Sequence, residues 1–253
     1  MCRSPAASAS TRPFANGRCE PAVSDTVRQW IRAAHHIAVL TGAGVSAECG
    51  VPTFRDAQTG LWASFNPQDL ATEAAFRAHP QRVWDWYQFR REMIAKVQPN
   101  AGHAALAGFA QRHPGRLSLI TQNVDGLHQQ AGSTEAIALH GNIAEDRWLD
   151  APRTCCRAET VEAGHPPRCP VCGNLRRPAV VWFGEHLPQA ALDAAENAVN
   201  RCDLMLVVGT SGVVYPAAGL VLGAHQRGAR VVVINPEPTE LDMVAELCLR
   251  EPA

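Results

Sequence analysis

Apolar positions along this chain fall into short blocks that follow one of two periods. From Ala22 to His36, Val23, Val27, Trp30, Ile31 and Ala34 share one side of a 3.6-residue repeat, which predicts an amphipathic helix. Ile37-Ala-Val-Leu40 is wholly apolar, the pattern of a strand buried on both faces. Similar runs return at Leu117-Ser-Leu-Ile-Thr121, Ile137-Ala-Leu139, Val180-Val-Trp-Phe183, Leu204-Met-Leu-Val-Val208 and Val231-Val-Val-Ile234. Helical patterns are predicted over Leu61 to about Val97, Asn100 to Gln111, Ala190 to Asn200 and Val213 to Gln226. Strands alternating with helices predict an α/β fold with a doubly wound parallel sheet of Rossmann-like type.

Two stretches interrupt this alternation. A Trp-rich helical insert is expected over about 60–100. Between about 145 and 177, Pro, Cys and charged residues dominate and periodicity is lost, which predicts a small zinc-ribbon-like module. Residues 1–21 are rich in Arg, Ser, Ala and Pro and predict a disordered tail, with an organelle transit peptide as the alternative. The folded domain is then expected over 22–253.

Composition narrows the function classes. With 253 residues the chain can bury one large core plus a small insert. A net charge of −1 gives no bulk attraction to nucleic acid or an anionic membrane. No apolar run approaches membrane-spanning length, and a cytoplasmic location is expected. Lys96 is the one lysine, which disfavours Schiff-base chemistry. Nine cysteines in a chain with a nucleotide-type loop suggest an intracellular metal site more than a disulfide framework.

The candidate chemistry lies at strand ends. Gly42, Ala43, Gly44 and Ala47 follow the first strand with the small-residue spacing of a dinucleotide loop, where a following helix can face a pyrophosphate. Gln122, His140, Gly209 and Asn235 each follow another predicted strand. Ligands of doubly wound sheets bind at such carboxyl ends. Thr210 and Ser211 can serve a ribose or phosphate, or simply cap a helix. Asn235-Pro-Glu237 reads as a ribose contact or a plain turn. His140, on a strand end before Gly141, suits proton removal near neutral pH. His103 and His128 are open between structural and supporting roles. A hydride-transfer enzyme is disfavoured, because no acidic residue ends a second strand about twenty positions after the glycine loop.

These segments carry a resemblance. Gly42-Ala-Gly-Val-Ser46, Pro52-Thr-Phe-Arg-Asp56, Thr121-Gln-Asn-Val-Asp-Gly-Leu-His128, Leu139-His-Gly141, Val181-Trp-Phe-Gly-Glu185, Gly209-Thr-Ser211 and Asn235-Pro-Glu237 resemble, in order, the motif series of the sirtuin family. The resemblance runs from about Ala22 to the C-terminus. It implies an NAD-dependent protein-lysine deacylase that yields nicotinamide, free lysine and O-acyl-ADP-ribose. By motif, His140 is implied as general base, Asn123 as the residue ordering the ribose or a water, and Asp125 as the carboxamide contact. Phe54 is implied as a lid over the reacting carbon, with Thr53, Arg55 and Trp62 in the same cofactor loop. Gln122, Gly209, Thr210, Ser211, Asn235, Glu237 and Ala253 complete the implied NAD contacts. Val181 and Phe183 are implied to clamp an acyl-lysine peptide by strand addition.

The acyl group is suggested by Tyr87 and Arg90, three residues apart on one helix face. A guanidinium beside a phenol suits a carboxylate. The pair resembles the signature of sirtuins that remove succinyl, malonyl or glutaryl groups, and Ala71 resembles their small pocket residue. The plainer alternative is an exposed helix face. A deacetylase without acidic-acyl preference and a protein ADP-ribosyltransferase on the same scaffold are the competing functions.

Cys169-Pro-Val-Cys172-Gly is a zinc half-site. The second pair is the adjacent Cys155 and Cys156, for which a strained backbone is expected if both ligate. Three readings stand: zinc held by all four, zinc held by three with water, His165 or another group, or a degenerate site.

Overall fold

The computed structural model describes residues 21–51, 70–157 and 161–252. Five regular runs of the sequence become strands of one six-stranded parallel sheet: β1 (Ile37–Thr41), β2 (Leu117–Thr121), β3 (Ile137–Ala138), β6 (Leu204–Val208) and β7 (Arg230–Ile234). A short edge strand, β8 (Leu247–Leu249), which the hydrophobic pattern did not reveal, completes the order β3-β2-β1-β6-β7-β8. β1 pairs in register with β2 on one side (Leu40 with Ile120) and with β6 on the other (Leu40 with Val207).

Every residue of β1 and β6 is buried, because helices cover both faces. Alternate side chains divide between two cores, as the twofold pleat requires. Ala38, Leu40, Met205, Val207, Val231 and Val233 pack beneath α6 (Gln189–Arg201) and α7 (Ala217–Gln226). Ile37, Val39, Leu204, Leu206, Val208 and Val232 pack on the other face with Val27 and Trp30 of α1 (Pro21–Ala33) and Phe109 of α4 (Ala101–Arg112). α4 begins in a capping box: Asn100 accepts from the His103 amide, and the His103 ring lies near the Asn100 amide.

One expected sheet strand is elsewhere. The apolar run Val180–Phe183 does not join the parallel sheet. β5 spans Arg176–Val180 and pairs antiparallel with β4 (Gly141–Trp148) in a separate two-stranded sheet. Val180 and Trp182 instead build a third core with Leu70, Ala71, Phe76, Val83, Trp84, Tyr87 and Ile143. Its alternate members Val180 and Trp182 face this core, while Val181 is half-buried and Phe183 is exposed. β4 escaped the hydrophobic pattern because its register shifts between Asn142 and Asp146, which breaks the alternation.

The third core sits under α2 (Glu73–Ala78) and α3 (Pro80–Ile94), within the stretch read as a helical insert. Thr72 caps α2, and Pro80 starts α3 where its missing N–H costs nothing. The last helix begins at Ala217, later than expected. Val213, Val214 and Tyr215 before it are exposed. Among the described residues, no helix is long and apolar enough to cross a membrane.

Candidate active site

The carboxyl ends of β1, β2, β3, β6 and β7 lie along one edge of the parallel sheet, so the residues that follow them converge. After β1 the chain enters a 3₁₀ helix, Ala43–Cys49, closed by Gly50 at φ 88°. This corrects the expectation of a dinucleotide-type helix, and Ala47 is exposed rather than packed on the sheet. The glycines have a further reason. The Gly44 amide donates to the Gly209 carbonyl at 2.8 Å. A Cβ on Gly44 would lie 2.7 Å from the Gly209 Cα, and one on Gly42 would lie 2.6 Å from the Thr210 Cβ. The loops after β1 and β6 therefore press backbone to backbone, and only glycine fits between them. Ala43 is half-buried beside this contact.

Gln122 joins this pair of loops to β2. Its side-chain amide donates to Thr210 Oγ1 at 3.0 Å, while its carbonyl lies 2.9 Å from His140 Nδ1. A carbonyl can only accept, so Nδ1 carries the proton and Nε2 is left with a free lone pair. Burial holds the His140 pKa below its ordinary value, so the ring is neutral near pH 7.

A buried polar network, largely unassigned from sequence, supports the next residues. Ser46 Oγ donates to Asp125 Oδ2 at 2.8 Å and accepts from Asn123 Nδ2 at 3.1 Å. Asp125 Oδ1 accepts from the Leu127 amide. His103 approaches Ser46 at 3.4 Å and is held by Asn100. Thr41 links Thr121 and His128, each at 2.9 Å. Burial lowers the His128 pKa to about 4, and the neighbouring His103 adds to the effect. Ser46 lay inside a recognised motif, which was its available signal; Thr41 and Thr121 read only as strand.

Ser211 is half-buried after β6, and its carbonyl accepts from Glu240. Asn235 Nδ2 donates to the Glu237 carbonyl at 2.7 Å, so this segment is a closed turn on the β7 end. Thr53, Phe54, Arg55, Trp62 and Ala253 lie outside the described residues.

Beside the network lies the Tyr87–Arg90 pair. Tyr87 is 2% exposed, which removes the plain reading of an exposed helix face. Arg90 is half-buried, its guanidinium 4.9 Å from the Trp86 ring centre and 5.8 Å from that of Tyr87. Burial lowers its pKa, while the charges of Tyr87 and, more weakly, Asp125 act in the opposite direction. It remains a cation. Its neighbour Arg91 is paired with Asp146 at 2.6 Å, and Arg177 with Glu185. Among the described residues no carboxylate forms an ion pair with Arg90. Val181 donates to the His140 carbonyl at 2.9 Å, and Phe183 donates to that of Ala71, leaving the Phe183 ring 49% exposed.

The sulfurs of Cys155, Cys156, Cys169 and Cys172 lie within 4.8 Å of one another. Zn–S bonds of about 2.3 Å in a tetrahedron place sulfurs roughly 3.8 Å apart, so the donor set suits zinc. The expected strain at the adjacent pair is not found, since no described non-glycine residue has positive φ. A turn from Arg153 to Cys156 (2.8 Å) presents both sulfurs inward. Amides of Cys172 and Val171 help hold the Cys169 thiol below its ordinary pKa, whereas hydrogen bonding to Cys172 and burial push that of Cys155 up.

The Sir2 family model matches residues 42–216. The chain is 60% identical over 237 residues to a protein of Ralstonia nicotianae called NAD-dependent protein deacylase, covering 92% of this chain and 95% of that one. A solved complex of a Sir2 homologue with NAD superposes with a TM-score of 0.78 at 42% identity, covering 90% of this chain and 88% of the other. A Sir2 protein bound to a propionylated peptide superposes with a TM-score of 0.76 at 32% identity, covering 90% and 92%.

Proposed function

This chain belongs to the Sir2 family and is an NAD-dependent protein deacylase, and we propose that the acyl groups it removes carry a carboxylate: succinyl, malonyl or glutaryl in preference to acetyl. The observation that carries this reading is the Arg90 guanidinium. It is stacked on Trp86 and Tyr87, and among the described residues it is without an ion-pair partner. A half-buried cation of this kind is best satisfied by an incoming carboxylate. Ala71, small and buried in the same core as Tyr87, is consistent with the reading.

NAD, when bound, supplies a ribose carbon that loses nicotinamide and takes the acyl oxygen. In this reading the chain's own groups do the rest. Neutral His140, its Nδ1 proton spent on Gln122, uses Nε2 to take a proton from a ribose hydroxyl. Asn123 orders the ribose or a water, and Asp125 holds the carboxamide; both are oriented by Ser46. Gly42, Ala43, Gly44, Ala47, Gln122, Gly209, Thr210 and Ser211 line the pyrophosphate end, with Asn235 and Glu237 near the adenosine ribose. Thr53, Phe54, Arg55, Trp62 and Ala253 keep their roles as family carry-over. Val181 and Phe183 receive the acyl-lysine peptide. The four cysteines would hold a structural zinc in the segment that joins β4 to β5. We place the enzyme in the cytoplasm, where reduced thiols persist.

The test is kinetic. On matched peptides, Arg90→Met is expected to lower kcat/KM for succinyl-lysine about a hundredfold more than for acetyl-lysine, the scale of a charged hydrogen-bonded contact. Equal losses on both would overturn the assignment. Mass spectrometry should find O-acyl-ADP-ribose; ADP-ribosylated protein instead would favour the transferase alternative.

A further inference from the structure

We propose that Trp182 is a positioning residue that sets the direction in which Tyr87 offers its phenolic proton to the substrate carboxylate. This rests on the acidic-acyl reading above. Trp182 Nε1 lies 2.9 Å from the Tyr87 hydroxyl oxygen. An indole N–H donates and cannot accept. Tyr87 therefore receives a hydrogen bond from Trp182, and its own proton must point elsewhere. Burial pushes the Tyr87 pKa up from its ordinary value, so that proton is present at neutral pH.

The other neighbour is no acceptor either. Arg90 carries only donors, and its guanidinium lies 5.8 Å from the Tyr87 ring centre. Among the described residues, no group accepts the Tyr87 proton. The Tyr87 O–H and the Arg90 fork are thus two neighbouring donors, 5.8 Å from guanidinium carbon to ring centre, that one substrate carboxylate would serve together. A carboxylate supplies two oxygens there; an acetyl methyl supplies none.

Trp182 itself is held on three sides. Its amide donates to Glu185 Oε2 at 2.8 Å. The Arg177 guanidinium lies 3.2 Å above its ring, and the Phe76 ring centre is 5.2 Å away. It is 2% exposed, whereas Phe183 beside it is 49% exposed. Trp182 therefore acts through Tyr87 and not by touching the peptide. The Tyr87 ring is fixed in turn by an edge contact with Trp86 at 4.6 Å, so the main freedom left at Tyr87 is rotation of the O–H.

The experiment is a double-variant cycle of Trp182→Phe and Tyr87→Phe, read as KM and kcat on succinyl- and acetyl-lysine peptides. Trp182→Phe should lower the succinyl-to-acetyl ratio of kcat/KM about fivefold, mainly through succinyl KM, the factor of one ordinary hydrogen bond. In the Tyr87→Phe background it should change that ratio no further. Equal losses on both substrates, or single effects that multiply in the double variant, would overturn the positioning role. Should Trp182→Phe not fold, Trp182→benzothienylalanine removes only the N–H and must give the same ratio change. If the wild-type enzyme shows no succinyl preference and Arg90→Met is unselective, the acidic-acyl reading itself fails. If Arg90→Met is selective and the Trp182 variants are silent, only the orienting role fails.

Discussion

The Nδ1 atom of His140 lies 2.9 Å from the Gln122 carbonyl oxygen, and this contact fixes the tautomer of the ring. The strand end that delivers His140 is thus tied to the strand end that delivers Gln122. A base held this way must be neutral to work, and burial lowers its pKa below 6.5. Protonation then removes activity only in acid. The pH profile of kcat/KM should rise with pH and level off with a midpoint below 6.5. His140→Ala should cost at least about a hundredfold. A midpoint above 6.5 would argue against His140 as the base.

The glycine loops after β1 and β6 predict a stability effect. A Cβ on Gly209, at φ +61°, would meet Val45 N at 2.4 Å and Gly44 C at 2.6 Å. Both obstacles are backbone and cannot rotate away. Gly209→Ala should cost about 2 kcal/mol or more and weaken NAD binding as well. Thermal melts with and without NAD check both effects.

The thiol cluster predicts about one zinc per chain. Ser substitution at Cys155 or at Cys156 should each reduce metal content, because both sulfurs belong to the set within 4.8 Å. Chelation should lower the melting temperature. Metal analysis showing full zinc in Cys155→Ser would mean that three thiols suffice.

Arg177 is 1% exposed and paired with Glu185, which also accepts from the Trp182 amide. Glu185→Ala would leave a buried cation and is expected to cost about 3–5 kcal/mol. An Arg177→Met, Glu185→Leu double variant should be more stable than Glu185→Ala alone. Chemical denaturation of the set decides this.

His128, with a pKa near 4, predicts sensitivity to acid. Between pH 6.5 and about 4 the unfolded state binds a proton at this site and the folded state does not. Stability therefore falls as pH drops through that window, by about 3 kcal/mol in all, and stays lower beneath it. His128→Gln should flatten this part of the stability–pH curve, as measured by denaturation at stepped pH.

Much of this was legible beforehand. Five apolar runs announced the parallel sheet, most clearly at the central β1 and β6, where burial on both faces leaves a continuous hydrophobic signature. The residues after those runs announced the site because parallel strands all end on one edge. Tyr87 and Arg90 were read as a pair through their resemblance to the acidic-acyl signature, since a spacing of three alone left an exposed helix face open.

What the sequence determined by itself, then, was periodicity and strand-end chemistry, properties carried within a few consecutive residues. The tertiary structure decided what depends on contacts between distant residues. It moved Val180 and Trp182 from the sheet to a third core. It set Gly44 against Gly209, and it folded Cys155 and Cys156 back onto Cys169 and Cys172. It also joined Trp182 to Tyr87 across 95 positions of chain. No local pattern encodes such a pairing, because each partner looks like an ordinary aromatic core residue until packing brings the N–H to the oxygen.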